Sequence, residues 1–140
     1  MKILLPVDGS DHADRAARHV LRLVQSCTDS EILLLNVQVP IDAPEVLGHL
    51  PMREIEAMQE SRGGDALVSA RALFDRAGIR YLPEVAIGGV AETIARRVIE
   101  GNFDIVVMGS HGAGKLTSML MGSVATDVIR LASCPVTVVK

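Results

Sequence analysis

Apolar residues along the chain fall in short runs that alternate with segments of helical periodicity. Runs of this length, bounded by turn residues, predict buried β-strands. The five runs are KILLPV, EILLLNV, IRYLPEVA, DIVVMG and PVTVV. After the first run, the segment DHADRAARHVLRLV carries apolar residues at helical spacing and charged residues on the opposite face. This pattern predicts an amphipathic helix that is capped by Ser10 or Asp11.

Three further segments have the pattern of helices. GVAETIARRVIEG and SVATDVIRLAS each place apolar residues on one face, and Gly101 is expected to end the first of them. Residues 51–77 are also predicted to be helical, with Gly78 at their end. Gly63–Gly64 lies inside this segment, and each glycine costs about 1 kcal/mol relative to alanine in a helix. We therefore expect a kink or break at this pair. Residues 39–51 are rich in Pro and Gly, which predicts a long, mobile loop.

The alternation of strands and helices predicts a parallel sheet with right-handed crossovers, in one domain over residues 1–140. We expect the strand order 3-2-1-4-5, with helices on both faces. Such sheets bind ligands beyond the carboxyl ends of the strands, where the strand order reverses. The reversal lies between strands one and four, so the loops VDGS and GSHGAGK should meet there. Both are rich in glycine and small polar residues, which makes this edge the predicted ligand site.

Composition narrows the class of protein. Hydrophobic residues make up 49% of the chain, yet it has no Trp, one Tyr and two Phe, which predicts an aliphatic core. A net charge of −3 and the scarcity of aromatic residues argue against a nucleic-acid partner. Two cysteines are too few for a disulfide framework and are expected to be buried or half-buried thiols in a reducing compartment. With no apolar segment long enough for a membrane span or a signal peptide, we predict a cytoplasmic protein without membrane insertion.

The segment MGSHGAGKLTSMLMGS resembles two phosphate-binding motifs without matching either. Gly109, Gly114 and Lys115 have the spacing of the Walker A loop, but Leu116 stands where that loop needs Ser or Thr. A further turn also separates Gly-Lys from the next predicted helix, so we reject a Walker-type site. A G-x-G-x-x-G motif is incomplete as well, because Thr117 takes the place of its last glycine.

Main-chain amides offer another way to hold a phosphate. Gly109, Gly112 and Gly114 would allow the main chain to approach a phosphate closely. Gly122 and Ser123 begin the last predicted helix, whose free N–H groups and dipole favour an anion. The Ser123 hydroxyl could either cap this helix or contact a phosphate oxygen. The sequence thus predicts an anion site between a strand exit and a helix entrance.

The spacing G-x2-G-x9-G-[ST], formed by Gly109, Gly112, Gly122 and Ser123, resembles that of the universal stress protein family, specifically its ATP-binding branch. The resemblance covers nearly the whole chain. It includes ILLPVDGS, LLLNV, GGVAETI and the block DIVVMGSHG…GSVATDVIRLASCPVTVV. It implies a Rossmann-like α/β domain that binds ATP, forms homodimers and has a regulatory role in stress responses instead of a metabolic one.

The resemblance also implies which residues contact the nucleotide. They come from the ends of strands one, two and four and from the start of the last helix. Those around the ribose and phosphates are Gly109, Gly112, Gly122 and Ser123, with Val124 donating a main-chain N–H. Those on the base and ribose side are Pro6, Val7, Asp8 and, through its main chain, Val37, and Met108 completes the set.

Some residues near this site have simpler interpretations. Asp8 could be only a turn residue before the first helix, and His111 is expected to be an exposed spacer. The other histidines lack ligand spacing, so we predict no protein metal site, and any Mg²⁺ would be held mainly by the phosphates of ATP. We find no arginine and no convincing base near the glycine loop, so any ATP hydrolysis should be slow.

The last predicted strand, PVTVV, would form an edge of the sheet. An apolar edge with open main-chain groups needs a cover, and a second copy of the chain would provide it. We therefore predict a homodimer through Val136–Val139. The regulatory role that the resemblance implies adds a protein partner of unknown identity. Two alternatives to ATP binding stay open: the same fold with AMP or another nucleotide, and an enzyme similar to the adenylating ATP pyrophosphatases. A phospho-receiver domain is set aside, because the third strand offers Glu84 but no aspartate.

Overall fold

The computed structural model describes residues 1–27, 29–114 and 121–140. Its core is a five-stranded sheet in the order β3-β2-β1-β4-β5, in which every neighbouring pair is parallel. The strands are β1 (Lys2–Pro6), β2 (Glu31–Gln38), β3 (Leu82–Ile87), β4 (Ile105–Gly109) and β5 (Val136–Val139). The predicted strand order is confirmed, and β1 and β4 therefore flank the point at which the order reverses.

Helices cover both faces of the sheet, as predicted. They are α1 (Asp11–Val24), α2 (Pro44–Leu47), α3 (Met52–Ala77), α4 (Val90–Gly101) and α5 (Ser123–Leu131). Successive residues of β1 show the two layers. Ile3 and Leu5 pack with α1 and α3, whereas Leu4 packs with α4 and α5. Because all three are completely buried, the central strand has no solvated face, as expected for a parallel sheet.

The helix ends follow local chemistry. The Ser10 hydroxyl caps α1 by accepting a hydrogen bond from the Ala13 N–H at 3.2 Å. Gly78 ends α3 in the left-handed conformation, as predicted. Gly101 is still helical, and Asn102 takes the left-handed position one residue later, with a φ of 49°. Asparagine tolerates this conformation better than most residues, so the predicted stop was one residue early.

The prediction of a break at Gly63–Gly64 is wrong, because α3 runs without interruption from Met52 to Ala77. Gly63 is buried against the sheet, and a Cβ at this position would lie 2.3 Å from a methyl group of Val85 and 3.0 Å from Asn36 Oδ1. The missing side chain lets α3 approach β2 and β3 closely. Tertiary packing therefore overrides the unfavourable helix propensity of the pair. The predicted loop over residues 39–51 also contains a short helix, α2.

The two adjacent glycines of α3 should respond in opposite ways to alanine. Gly63→Ala is expected to lower the free energy of unfolding by about 1–2 kcal/mol, because the new methyl group overlaps Val85. Gly64→Ala is expected to raise it by about 0.5–1 kcal/mol, since none of the described residues lies within 4 Å of the added Cβ. Urea denaturation measures both, and adding Val85→Ala should relieve the Gly63→Ala defect. Equal effects at both positions would show that close packing does not explain Gly63.

The helices and the two cysteines bear on the predicted environment of the protein. No helix in the described part of the chain has the length and apolar character needed to cross a bilayer. Both cysteines are free thiols. Cys134 is half-buried as expected, and burial raises the pKa of its thiol, but Cys27 is exposed at the end of α1.

Candidate functional site

A cleft of about 440 Å³ lies beyond the carboxyl ends of β1, β2 and β4, within the usual size range of small-molecule sites. All ten residues that the sequence predicted for the site line it. They are Pro6, Val7, Asp8, Val37, Met108, Gly109, Gly112, Gly122, Ser123 and Val124. The structure thus brings the predicted residues together at the reversal of strand order, while their contacts with a ligand stay a prediction.

Pro6 opens the sheet on the β4 side of β1. Cα pairing between these strands is found at Ile3↔Ile105 and Leu4↔Val106 and does not continue to Pro6. Alternate residues of a parallel strand donate to the same neighbour, so residue 6 would supply the next donor after Leu4. Proline has no N–H to donate. The two strands therefore separate, and the cleft forms in the gap.

Asn36 closes the ladder on the other side of β1. The Val7 N–H donates to the Leu35 carbonyl at 2.8 Å, as in a regular parallel pair. The Val7 carbonyl then accepts its hydrogen bond from the Asn36 side chain, at 2.7 Å from Nδ2. The Asn36 amide is only 2% exposed, and its oxygen accepts a hydrogen bond from Gln38 Nε2 at 2.7 Å. A buried side-chain amide thus satisfies the first carbonyl after β1.

The glycine loop after β4 is joined to the loop after β1 by Asp8. One carboxylate oxygen of Asp8 accepts from the Ser10 N–H at 3.1 Å, and the other accepts from the Ala113 N–H at 3.0 Å. A Cβ on Gly112 would lie 2.8 Å from the second oxygen, so glycine permits this approach. Asp8 is therefore more than a turn residue of its own loop, because its carboxylate links both rims of the cleft.

The start of α5 forms the opposite wall. Gly122 is the N-cap residue, and its N–H donates to the Ser110 carbonyl at 2.8 Å, which ties the helix start to the end of β4. Ser123 is the first helical residue, so its hydroxyl is not used as a cap. The first intrahelical bond runs from the Thr126 N–H to Gly122 O. The N–H groups of Ser123, Val124 and Ala125 accordingly lack intrahelical acceptors at the positive end of the helix dipole.

Ser110 anchors the strand end from three sides. Its N–H donates to Val139 O at 2.8 Å, and its hydroxyl lies 3.2 Å from His12 Nδ1 and 3.0 Å from His111 Nδ1. One hydroxyl proton can serve only one of these nitrogens, so the other ring donates its N–H to the oxygen. His111 is half-buried and lines the cleft. The expectation that it is an exposed spacer is therefore wrong.

The chemistry available in the cleft comes mainly from the main chain. Among the described residues that line it, the ionisable ones are Asp8 and His111. In the described ranges, no group of three His, Cys, Asp or Glu side chains could hold a metal ion. Lys115, the lysine of the Walker-like spacing, lies outside the described residues. The arrangement suits an anionic ligand that is bound by amides and helix dipole, with an apolar portion packed against Val37 and Ile94.

Sequence reasoning missed several residues of the cleft. The polar ones are Asn36, Ser110 and His111, and the apolar ones include Leu35, Val90 and Ile94. A signal existed for Asn36, since it is the one polar residue in the run ILLLNV, and buried strands rarely carry an amide without a partner. No comparable signal distinguishes the apolar residues from the rest of the core.

Comparisons with known proteins agree with the fold. The family model described as the universal stress protein family matches residues 1–140. Universal stress protein MJ0531 of Methanocaldococcus jannaschii is 32% identical over 99% of this chain and 81% of its own length. A universal stress protein of Thermus aquaticus is also 32% identical, over 99% of this chain and 97% of its own.

Solved structures give the same result. MJ0577 of Methanocaldococcus jannaschii superimposes with a TM-score of 0.85 at 28% identity, over 99% of this chain and 94% of that one. A family member from Arabidopsis thaliana, solved with AMP bound, has a TM-score of 0.70 at 26% identity, over 100% of this chain and 91% of that one. The chain belongs to the universal stress protein family.

Proposed function

We propose that this protein is a regulatory module that binds ATP in the cleft between β1 and β4. One observation carries the proposal: open main-chain groups stand at both ends of one cleft of about 440 Å³. At one end they belong to Val37, and at the other they belong to the first turn of α5. A nucleotide needs this combination, because its base and its phosphates are recognised by different chemistry.

The base would lie against the end of β2. Leu35 turns its main chain toward β1, because its carbonyl accepts the Val7 N–H, and Gln38 turns toward β3, because its carbonyl accepts the Gly88 N–H at 3.0 Å. Main-chain direction alternates along a strand, so Val37 faces the same way as Leu35, into the cleft. Its N–H and C=O can pair with the N1 acceptor and the N6 amino donor of adenine.

The phosphates would lie at the start of α5 and the glycine loop. The N–H groups of Ser123 and Val124 provide donors at the positive end of a helix dipole, which is a favourable position for an anion. The Ser123 hydroxyl and the Gly112 main chain are close to the same space, since both residues line the cleft. Asp8 would accept from a ribose hydroxyl, and Mg²⁺ would be held mainly by the phosphates.

A regulatory role is favoured over an enzymatic one. Phosphoryl transfer needs an oriented nucleophile and positive charge at the γ-phosphate. The described residues that line the cleft include no arginine or lysine. ATP hydrolysis is therefore expected to be slow, and a change in a partner's affinity on nucleotide binding would be the output. The AMP bound to the Arabidopsis relative supports an adenine nucleotide and keeps AMP as the second candidate.

The direct test identifies the ligand. Protein purified without washing in high salt would be denatured, and the released small molecules identified by mass spectrometry. Calorimetry on the nucleotide-free protein would then compare ATP, ADP, AMP and GTP. We expect ATP to be released and to bind most tightly. If AMP bound more tightly than ATP, AMP would be the ligand in place of ATP. If no nucleotide bound, the proposed function would be overturned. Release of pyrophosphate from ATP in the presence of any acceptor of the adenylyl group would favour an adenylating enzyme.

A homodimer through β5 is proposed as part of this function. β5 pairs only with β4 within the described sheet. The carbonyls of Pro135 and Val139 face β4, since they accept the Val106 and Ser110 N–H groups, so the main chain of Val138 faces the open edge. Exposed apolar side chains lie on the adjacent helix, at Ile129 and Leu131. A second copy of the chain would cover both the edge and this surface.

The dimer leads to a specific mutational prediction. Val138→Pro removes an N–H that points away from β4, so it should abolish pairing of the edge and leave the β4–β5 ladder intact. We expect light scattering at micromolar concentration to give twice the chain mass for the parent protein and one chain mass for the variant. The reference variant is Val138→Thr, which keeps the N–H and should stay dimeric. A monomeric parent protein would refute the dimer.

The cytoplasm and an unidentified regulatory partner complete the proposal. The free thiol of Cys27 is exposed and would suit a reducing compartment. Localisation by fluorescence microscopy of a tagged chain would test the compartment. Affinity capture with and without ATP would search for a partner whose binding depends on the nucleotide.

A further inference from the structure

We propose that Asn36 is a positioning residue for the ligand's base, a role that rests on the nucleotide-binding function proposed above. By holding the Val7 carbonyl, its side chain leaves the main-chain edge of Val37 open toward the cleft. The ligand portion that this edge takes is a planar ring with a hydrogen-bond acceptor next to a donor.

The argument starts from the hydrogen bond that the sheet does not make. After the Val7 N–H donates to Leu35 O, the next bond of a parallel ladder would run from the Val37 N–H to Val7 O. Among the described residues this bond is absent, and Asn36 Nδ2 occupies Val7 O at 2.7 Å instead. A side chain has thus replaced a main-chain partner that lies one residue away.

The neighbours of Asn36 hold its amide in this orientation. Gln38 Nε2 donates to Asn36 Oδ1 at 2.7 Å, which leaves Nδ2 directed at Val7. Gly63 of α3 makes room on the other side, because a Cβ there would lie 3.0 Å from the same oxygen. With 2% exposure, the amide has little freedom to turn away.

A purely structural role does not account for this choice of residue. An apolar side chain at position 36 would extend the aliphatic layer formed by Ile32 and Leu34, and it would avoid the cost of burying an amide. The ladder would then lengthen by one main-chain bond and take up the Val37 N–H. The Val7 carbonyl therefore has one hydrogen bond in either arrangement, from Asn36 Nδ2 or from the Val37 N–H. The two arrangements differ in whether the Val37 main chain is available to a ligand.

The first test needs no ligand. Amide hydrogen exchange, followed by NMR, is expected to be at least about tenfold faster at Val37 than at Leu35 in the nucleotide-free protein. In Asn36→Leu, Val37 should slow to about the rate of Leu35, because it now bonds to Val7 O. Gln59→Met is the matched control, since it removes another buried amide whose Nε2 donates to the Val39 carbonyl at 2.9 Å. Slow exchange of Val37 in the parent protein would overturn the proposal.

The second test separates the base from the phosphates. Asn36→Leu is expected to weaken ATP binding about tenfold, the value of one hydrogen bond, and to leave inorganic tripolyphosphate binding unchanged. Gln59→Met should change neither. An equal loss for ATP and tripolyphosphate would mean that Asn36 only supports the fold. Should Asn36→Leu not fold, Asn36→Ser, whose side chain is too short to reach Val7 O, replaces it in both experiments.

The two proposals fail in different ways. If the parent protein binds no nucleotide, the function above is wrong, and the exchange rate of Val37 still shows whether its edge is open. If ATP binds but Val37 is protected before binding, or Asn36→Leu leaves both exchange and affinity unchanged, the role of Asn36 is wrong and the function stands.

Discussion

Replacing Ser123 with glutamate is expected to weaken ATP binding about a hundredfold while the fold stays at least as stable. Ser123 is the exposed first residue of α5, so a longer side chain has room there. Its carboxylate would occupy the positive end of the helix dipole, where we place the phosphates. Like charges about 4 Å apart cost several kcal/mol near a protein surface, and about 2.7 kcal/mol corresponds to a hundredfold change in affinity.

The stability of this variant separates a charge effect from a folding defect. An acidic residue in the first turn of a helix usually adds about 0.3–1 kcal/mol to stability. The midpoint temperature of thermal unfolding should therefore be no lower for Ser123→Glu than for the parent protein. Ser123→Ala, which removes only the hydroxyl, should lose less than about tenfold in ATP affinity. Calorimetry gives both affinities. Comparable ATP affinity in Ser123→Glu and the parent protein would show that the phosphates do not lie at α5.

Much of the fold could be predicted from sequence because its causes are local. Short aliphatic runs separated by amphipathic segments leave few alternatives to a parallel sheet, and the predicted order 3-2-1-4-5 is the observed one. The error in α3 has a non-local cause. Nothing near Gly63 in the sequence shows that Val85 and Asn36, from two different strands, will lie against it. Helix propensity predicted a weak point at Gly63, whereas the packing of α3 on the sheet requires a residue without a side chain there.

In the candidate site too, features with a local cause could be predicted from the sequence, and features with a non-local cause could not. Glycines at a strand exit and a helix entrance are visible as spacing, so Gly109, Gly112 and Gly122 could be predicted from the sequence alone. The sequence does not show that His111 is half-buried, because its contact with the Ser110 hydroxyl lies beside His12, which is far away along the chain. The orientation of the buried Asn36 amide depends on three parts of the fold: the end of β1, its own strand β2, and α3. No local sequence pattern encodes it.

The end of β1 explains why a cleft exists at this place in the sheet. On one side Pro6 cannot donate to β4, and on the other the Asn36 side chain replaces the main-chain N–H of Val37 as the donor to the Val7 carbonyl. The main-chain ladder of β1 therefore ends on both sides within two residues, and Val7 stays bonded to β2 through the Leu35 carbonyl and the Asn36 side chain. Asp8, the next residue along, then reaches the Ala113 N–H across the gap. A cleft at the reversal of strand order follows from the loss of two ladder bonds, each of which has an identifiable chemical cause.

Gly109→Ala is expected to cause the largest loss of stability, about 3 kcal/mol. A Cβ at Gly109 would lie 2.8 Å from both the carbonyl carbon and Cβ of His12, and 2.9 Å from its carbonyl oxygen. Two of these atoms belong to the main chain of α1, so no side-chain rotation can relieve the overlap. The helix start would have to move away from β4, and the contact between His12 and the Ser110 hydroxyl would be lost with it.

Chemical denaturation of Gly109→Ala and Gly114→Ala forms the comparison that tests this packing. None of the described residues lies within 4 Å of a Cβ added at Gly114, so its replacement should change the free energy of unfolding by less than about 0.5 kcal/mol. Gly109→Ala should also bind ATP more weakly, because Ser110 carries the carbonyl that holds Gly122 at the start of α5. A stable Gly109→Ala variant with the parent's affinity would mean that α1 can shift without disturbing the cleft, and that the close approach of His12 to β4 does not shape the site.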